Sequence, residues 1–175
     1  MLKILGIHSN ATGESSFTDG HAWLTLHFEN GRSTSVGLWT TTLGELRRVA
    51  SDPTGFALGE TFDVNFGIEG RKGYRAKASR YYSLASPQGE RAIAILGSWA
   101  SWRFTNTCAE WARDVVQKLT GEELAADDWL GIETPRELGN SILALERESP
   151  TSLTFPKRAA GDPIGAALLQ KTIGY

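Results

Sequence analysis

The pattern of hydrophobic and polar positions in this chain changes near residue 85. Before that point, five segments have strand character: residues 2–7, 22–28, 33–39, 60–66 and 77–84. A short helix is predicted between them, over residues 42–50. After residue 85 the apolar spacing is helical, which predicts helices over about 87–101, between a cap at Asn106 or Thr107 and Gly121, and over about 135–147. This order predicts an α+β fold, an antiparallel sheet packed against a helical segment.

The sharpest turn signal is Asn30-Gly31, which lies between two extended segments. If these two residues form the centre of a hairpin turn, Glu29 pairs with Arg32. The same register continued along both strands places His21 opposite Thr40, on the same face of the sheet.

Two further segments are predicted to be irregular. Residues 67–73 are rich in glycine but lack the Gly-Lys-Ser/Thr ending of a phosphate-binding loop, so they are predicted to form a turn. Residues 149–175 contain three prolines and are predicted to be an irregular tail. Residues 1–148 then form one domain, to which this tail belongs.

The composition fits one soluble globular domain of 175 residues, 41% hydrophobic and 22% charged. A net charge of -2 gives no electrostatic signature for nucleic acid or anionic lipid. No apolar stretch approaches the roughly twenty residues that cross a bilayer, so no membrane span is predicted. The apolar run at the N-terminus is too short for a signal peptide, so we expect synthesis in the cytoplasm without one.

The single cysteine, Cys108, lies where a polar turn enters a predicted helix. The unpaired N–H groups and positive dipole of a helix N-terminus favour thiolate, the reactive form of cysteine. The backbone N–H of Cys108, together with Asn106, is also a candidate oxyanion site. The alternative is that Cys108 is a small buried hydrophobic residue without chemistry.

A thiolate nucleophile needs a base and a group that orients the base. His21 is the preferred base, because the apolar alternation after it fixes the strand in the sheet. His8 and His27 compete for this role, but His27 lies near the hairpin turn and His8 reaches the site only if its strand borders the hairpin. Thr40 and Asp19 are the candidates for the orienting residue.

The same residue types admit two other chemistries. His8, Asp19, His21 and Cys108 are all metal-ligand types, but none has the short paired spacing of a metal site, so neither a metal nor another cofactor is predicted. No carboxylate pair stands out as a general acid and base. Asp127 and Asp128 have the character of a solvated turn.

The candidate residues occur in four short motifs, Gly20-His21-Ala22-Trp23, Gly37-Leu38-Trp39, Asn106-Thr107-Cys108-Ala109-Glu110-Trp111-Ala112 and Thr134-Pro135-x-x-Leu138. In this order, over about residues 20–143, the chain resembles the circularly permuted branch of the papain-like NlpC peptidase superfamily. Within that branch it is similar to the amidase effectors of bacterial type VI secretion systems.

The resemblance implies a thiolate at Cys108, a general base at His21 and a polar residue at the position of Thr40, where relatives often carry His, Asp or Asn. It implies cleavage of peptide bonds in bacterial peptidoglycan stem peptides, with secretion into the periplasm of target cells. A secretion-apparatus carrier and an immunity protein are the implied partners. Two alternatives remain, a lipid or thioester acyltransferase that uses the same Cys-His dyad, and a noncatalytic binding module on a degenerate peptidase fold.

Overall fold

The structure, a computed structural model, describes residues 1–15, 20–39, 64–96, 107–127, 131 and 133–151. These residues form a five-stranded sheet in the order β4-β3-β2-β1-β5, with every neighbouring pair antiparallel. The strands are β1 (Leu2–Ser9), β2 (Ala22–Phe28), β3 (Ser33–Leu38), β4 (Val64–Phe66) and β5 (Ala78–Ser83). The helices are α1 (Ile68–Arg71), α2 (Ser86–Leu96), α3 (Cys108–Thr120) and α4 (Pro135–Glu148). The predicted α+β class, an antiparallel sheet with helices, is confirmed.

One face of the sheet forms the hydrophobic core with the three longer helices. Helix α3 lies against β1, β2 and β3, while α2 packs on β1 and α4 on β1 and β5. Buried apolar side chains lie at alternate positions, as Leu5 and Ile7 do in β1 and Leu24 and Leu26 do in β2. Helix α4 contributes Ile142, which is 0% exposed. None of the described helices is long and apolar enough to span a membrane.

The opposite face of the same sheet is polar and aromatic, yet it is also buried. Its members occupy the alternate strand positions and include His8, Trp23, Thr25, Ser35, Ser79 and Tyr81. Buried polar side chains lower stability unless they find hydrogen-bond partners, so this face requires specific pairing that the apolar face does not. His21 precedes β2 and shares this face by the same alternation.

The β2–β3 hairpin is located as predicted, but its register differs by one residue. Leu24 pairs with Val36, and Phe28 N–H donates to the Arg32 carbonyl at 2.9 Å. The loop therefore has three residues and ends at Gly31, whose φ of +77° is the left-handed conformation that such loops require. The predicted register, in which Glu29 pairs with Arg32, is therefore wrong, and continuing the observed register by two residues past the Trp23–Gly37 pair puts Trp39 opposite His21. Thr40 itself lies outside the described residues.

Helices α3 and α4 begin where the sequence predicts. Thr107 and Thr134 are their N-caps, and each hydroxyl accepts a hydrogen bond from a backbone N–H three residues later. Helix α3 ends at Gly121, which has a φ of +77°. Cys108 is consequently the first residue of α3.

The remaining predicted elements are described only in part by the structure. Residues 67–73 are not simply a turn, because they contain the short helix α1. Strand β4 and helix α2 match the described portions of the strand predicted at 60–66 and the helix predicted at 87–101. The helix predicted over 42–50 and most of the tail predicted over 149–175 lie outside the described residues.

The packing of α4 against the sheet can be tested by comparing two isoleucines. We expect Ile142→Ala to lower the free energy of unfolding by about 2–5 kcal/mol, because it leaves a cavity in the core. Ile93→Ala is the matched control, since Ile93 is 50% exposed in α2, and its effect is expected to stay below about 1 kcal/mol. Urea denaturation of both variants measures the difference, and equal losses would contradict this role for α4.

Candidate active site

Cys108 is held at the N-terminus of α3 with its side chain almost buried. The backbone N–H groups of Ala109, the next residue in the helix, and Ala22, the first residue of β2, help to lower the pKa of its thiol. Both contacts favour the thiolate over the thiol. They also join the start of α3 to the start of β2, where His21 precedes the strand.

The backbone of His21 is fixed from the neighbouring strand connection. The side-chain oxygen of Asn10 accepts a hydrogen bond from His21 N–H at 2.7 Å, and Asn10 N–H donates to the His21 carbonyl at 3.2 Å. The imidazole is 7% exposed. Because backbone and side chain are both constrained, the direction of the ring relative to Cys108 is set by the fold.

Glu69 of α1 completes the arrangement. Its side chain is 0% exposed, and its Oε1 accepts a hydrogen bond from His21 Nε2 at 3.0 Å. The same oxygen accepts a hydrogen bond from Trp39 Nε1 at 2.7 Å. Since Nε2 is engaged by Glu69, Nδ1 is the ring nitrogen left to exchange a proton with Cys108. The described residues therefore group a thiol, an imidazole and a carboxylate at Cys108, His21 and Glu69, the residue types that a nucleophile, its base and an orienting group require.

The three ionisable groups shift one another's pKa values toward their charged forms. Burial by itself lowers the pKa of His21, but interactions with Cys108 and Glu69 outweigh it and raise that pKa to about 9. Burial by itself raises the pKa of Cys108, but the charge and hydrogen bond of His21 outweigh it, so the thiol pKa falls below its ordinary value. The pKa of Glu69 is also lowered, because its interactions with His21 overcome the effect of burial. The directions of these shifts favour an ion pair of thiolate and imidazolium beside the Glu69 carboxylate.

Gly37 of β3 provides the space for this hydrogen bonding. A Cβ placed there would collide with Glu69 Oε1 and would lie only 2.8 Å from His21 Nε2. It would also lie 3.0 Å from Trp39 Nε1. Every side chain larger than hydrogen would therefore displace the atoms that meet at the carboxylate.

Aromatic rings enclose the imidazole. The ring of Trp39 lies 4.0 Å from that of His21, and Tyr74 stacks on Trp39 at 5.7 Å between centroids. Trp23 stacks on the same imidazole at 5.9 Å. Burial and the negative charges of Glu69 and Cys108 raise the pKa of the Tyr74 phenol, so this phenol stays protonated at neutral pH. These rings keep bulk water away from the ion pair, which strengthens its electrostatic interactions.

The structure distinguishes the histidines that the sequence left in competition. Strand β1 does border the hairpin, and His8 lies 5.5 Å from the Trp23 ring. However, both of its ring nitrogens are engaged, with Ser79 Oγ at 2.9 Å and Thr25 Oγ1 at 2.7 Å. Burial, with a smaller contribution from His27, lowers the pKa of His8 to about 3. Both ring nitrogens of His8 are therefore occupied by hydrogen bonds within the sheet, which leaves neither of them for Cys108.

The remaining predicted residues are separated from the site or lie outside the described residues. His27 is half-buried and bonds to Thr25 at 3.0 Å rather than facing Cys108. Asp19, Thr40 and Asn106 lie outside the described residues, so their proposed roles stay predictions. The orienting position next to His21 is occupied by Glu69.

Sequence reasoning missed Glu69 because it interpreted residues 67–73 as a glycine-rich turn. One signal was available: Glu69 is the only acidic residue between positions 64 and 77. An isolated carboxylate among glycines and basic residues marks a position worth testing as an orienting group. Its proximity to His21 depends on long-range packing of α1 against β3, which local sequence does not encode.

Two other candidate chemistries find no support among the described residues. No group of three or more His, Cys, Asp or Glu side chains in the described segments is arranged to hold a metal ion. Asp127 has a side chain 58% exposed and lies 3.7 Å from Arg113, in keeping with a solvated surface position. Asp128 lies outside the described residues.

Comparison of the chain with protein-family models, with curated proteins and with solved structures returned no match. The geometry of the site and the sequence motifs are therefore the basis for the function proposed below.

The charged state of the dyad predicts an unusual pH profile for the thiol. Because the pKa of Cys108 is lowered and that of His21 is raised to about 9, the ion pair persists from the thiol pKa up to about pH 9. We expect the rate of alkylation by iodoacetamide to reach half of its maximum at a pH below the ordinary cysteine pKa of about 8.5. In His21→Ala the midpoint is expected to rise to about 8.5 or higher, since the imidazolium no longer opposes the effect of burial on the thiol pKa. Identical profiles for the two proteins would show that His21 does not activate the thiol.

The contribution of Glu69 is tested by Glu69→Gln, which removes the negative charge while nearly preserving the volume. We expect the imidazolium to lose stability, so the midpoint of the alkylation profile rises by about one pH unit. Glu29→Gln is the matched control, because Glu29 is a half-exposed carboxylate paired with Lys3 at the hairpin. A shift of the same size in the control, or none in Glu69→Gln, contradicts the orienting role.

Proposed function

We propose that this protein is a cysteine hydrolase, an amidase or endopeptidase that cleaves peptide bonds of bacterial peptidoglycan. The observation that carries the proposal is the buried hydrogen bond from His21 to Glu69 beside a thiol of lowered pKa at Cys108. A residue that served only as a core hydrophobe would need neither a charged partner nor a buried carboxylate behind that partner. The choice of peptidoglycan rests on the motif resemblance around His21 and Cys108.

In the acylation step, Cys108 Sγ attacks the carbonyl carbon of the scissile amide and forms a tetrahedral intermediate. Its oxyanion is stabilised by the backbone N–H of Cys108 at the positive end of α3, with Asn106 as the second proposed donor. The C–N bond then breaks as the His21 imidazolium gives its proton to the leaving amine. The products of this step are a free amine and a thioester on Cys108.

In the deacylation step, a water molecule attacks the thioester carbonyl while neutral His21 accepts a proton from that water. The C–S bond breaks, the carboxylic acid leaves, and the thiolate and imidazolium are restored. Glu69 stabilises the imidazolium whenever it forms and keeps Nδ1 directed at the thiol. The carboxylate does not need to take up a proton at any point in the cycle.

The biological setting is part of the same proposal. A type VI secretion effector is made in a bacterial cytoplasm, is carried by the secretion apparatus and acts in the periplasm of a target cell. A cell that makes such a hydrolase needs protection, and an immunity protein that covers the site is the proposed partner. The Cys108–His21 resemblance supports this setting, and the low net charge of -2 agrees with a substrate other than nucleic acid.

The function is tested with purified protein and isolated peptidoglycan. We expect the native protein to release new amino groups from the stem peptides, and Cys108→Ala to lower the rate by about 10³-fold or more because the nucleophile is gone. Amine release and chromatographic analysis of the fragments identify the bond that is cut. Circular dichroism and thermal unfolding of Cys108→Ala serve as the control for folding.

Two outcomes would contradict the proposal. If Cys108→Ala directed to the periplasm were as toxic as the native protein, toxicity would not depend on this chemistry. If the native protein left peptidoglycan intact but retained an acyl label from labelled phospholipid on Cys108, the site would belong to an acyltransferase. Either result is decisive, because the lone cysteine is the only residue able to carry a thioester.

A further inference from the structure

The segment that follows Glu69 is strongly basic. Residues 71–77 contain four lysines or arginines and no carboxylate, although the chain as a whole has a net charge of -2. Lys72, Arg75 and Lys77 are exposed. The triad uses none of these cations, so their concentration beside the site needs a separate explanation.

The start of this basic loop is attached directly to the site. Tyr74 N–H donates to the Glu69 carbonyl at 2.9 Å, which ties the loop to the helix that carries the orienting carboxylate. The Nζ atom of Lys72 lies over the Trp39 ring, 4.3 Å from its centroid, and the same ring lies 4.0 Å from the imidazole of His21. The ammonium of Lys72 is therefore one aromatic ring away from the catalytic base.

Two exposed cations of the loop, Lys72 and Arg75, are not neutralised by carboxylates of the described residues. Within the described segments, neither Lys72 nor Arg75 has an acidic side chain within 4.0 Å. Glu69 is close in sequence, but it is buried and hydrogen-bonded to His21 and Trp39. Among the described residues, the rim of the site thus presents a positive charge without an acidic partner, at Lys72, above an aromatic surface made by Trp39 and Tyr74.

We propose that Lys72, assisted by Arg75, binds a negatively charged group of the substrate close to the scissile bond, with Trp39 and Tyr74 supporting the adjoining apolar part. A carboxylate on the peptide is the chemistry that fits this rim. An ammonium held by a cation–π contact is positioned without being neutralised, so it remains available to an anion. This inference rests on the proposed function for its substrate, and it makes Lys72 a specificity-determining residue.

The test uses two reagents of nearly equal size that differ in charge, iodoacetate and iodoacetamide. Both alkylate Cys108, but only iodoacetate carries the carboxylate, so the ratio of their second-order rate constants reports attraction of an anion to the site. We expect Lys72→Gln to lower this ratio by about threefold or more at low salt, and Arg75→Gln to add to the loss. Lys72→Arg is expected to restore the ratio, since it restores the positive charge.

Lys118→Gln is the matched control, because it removes the same charge from an exposed position in the last turn of α3. An unchanged ratio in Lys72→Gln, or an equal fall in Lys118→Gln, would overturn the proposal. Alkylation needs no turnover, so failure to hydrolyse peptidoglycan would overturn the proposed function and leave this result standing. With an active enzyme, Lys72→Gln should raise KM for a peptide with a free carboxylate about threefold more than for its carboxamide.

Discussion

The buried hydrogen bond between His21 and Glu69 is the interaction on which the rest of the site depends. A carboxylate that is fully removed from water is destabilising unless charged or polar partners compensate it. Here His21 and Trp39 share one carboxylate oxygen, and Gly37 leaves the room they need. The need to compensate this one buried carboxylate therefore fixes the positions of α1, the end of β3 and the start of β2, which His21 precedes.

Elements with local signals were predictable from the sequence. A threonine cap and a terminal glycine define α3, because the side chain and backbone that cap a helix lie next to it in the chain. The hairpin was also located correctly, but its register was not. Asn30-Gly31 suits both two-residue and three-residue loops, and only the pairing of Phe28 with Arg32 selects the longer one. A shift of one residue then exchanges Thr40 for Trp39 opposite the base.

Site residues could be predicted only where the residue type and its local sequence position are informative by themselves. A lone cysteine at a helix start and a histidine at a strand start are recognisable by themselves, and the structure places Cys108 and His21 together. Glu69 has no such local mark, since its role arises when α1 packs against β3. From the sequence alone, the two histidines that compete with His21 are chemically as suitable a base as His21 is. Both of them share hydrogen bonds with the Thr25 hydroxyl, on the polar face of the sheet.

The order of the three site residues along the chain has a consequence for synthesis. His21 and Glu69 belong to the sheet and its adjoining helix, whereas Cys108 begins a helix that leaves the ribosome later. Under the proposed function, activity requires α3 to be docked on the strands. A chain released before residue 108 carries no nucleophile at all, because Cys108 is the single cysteine.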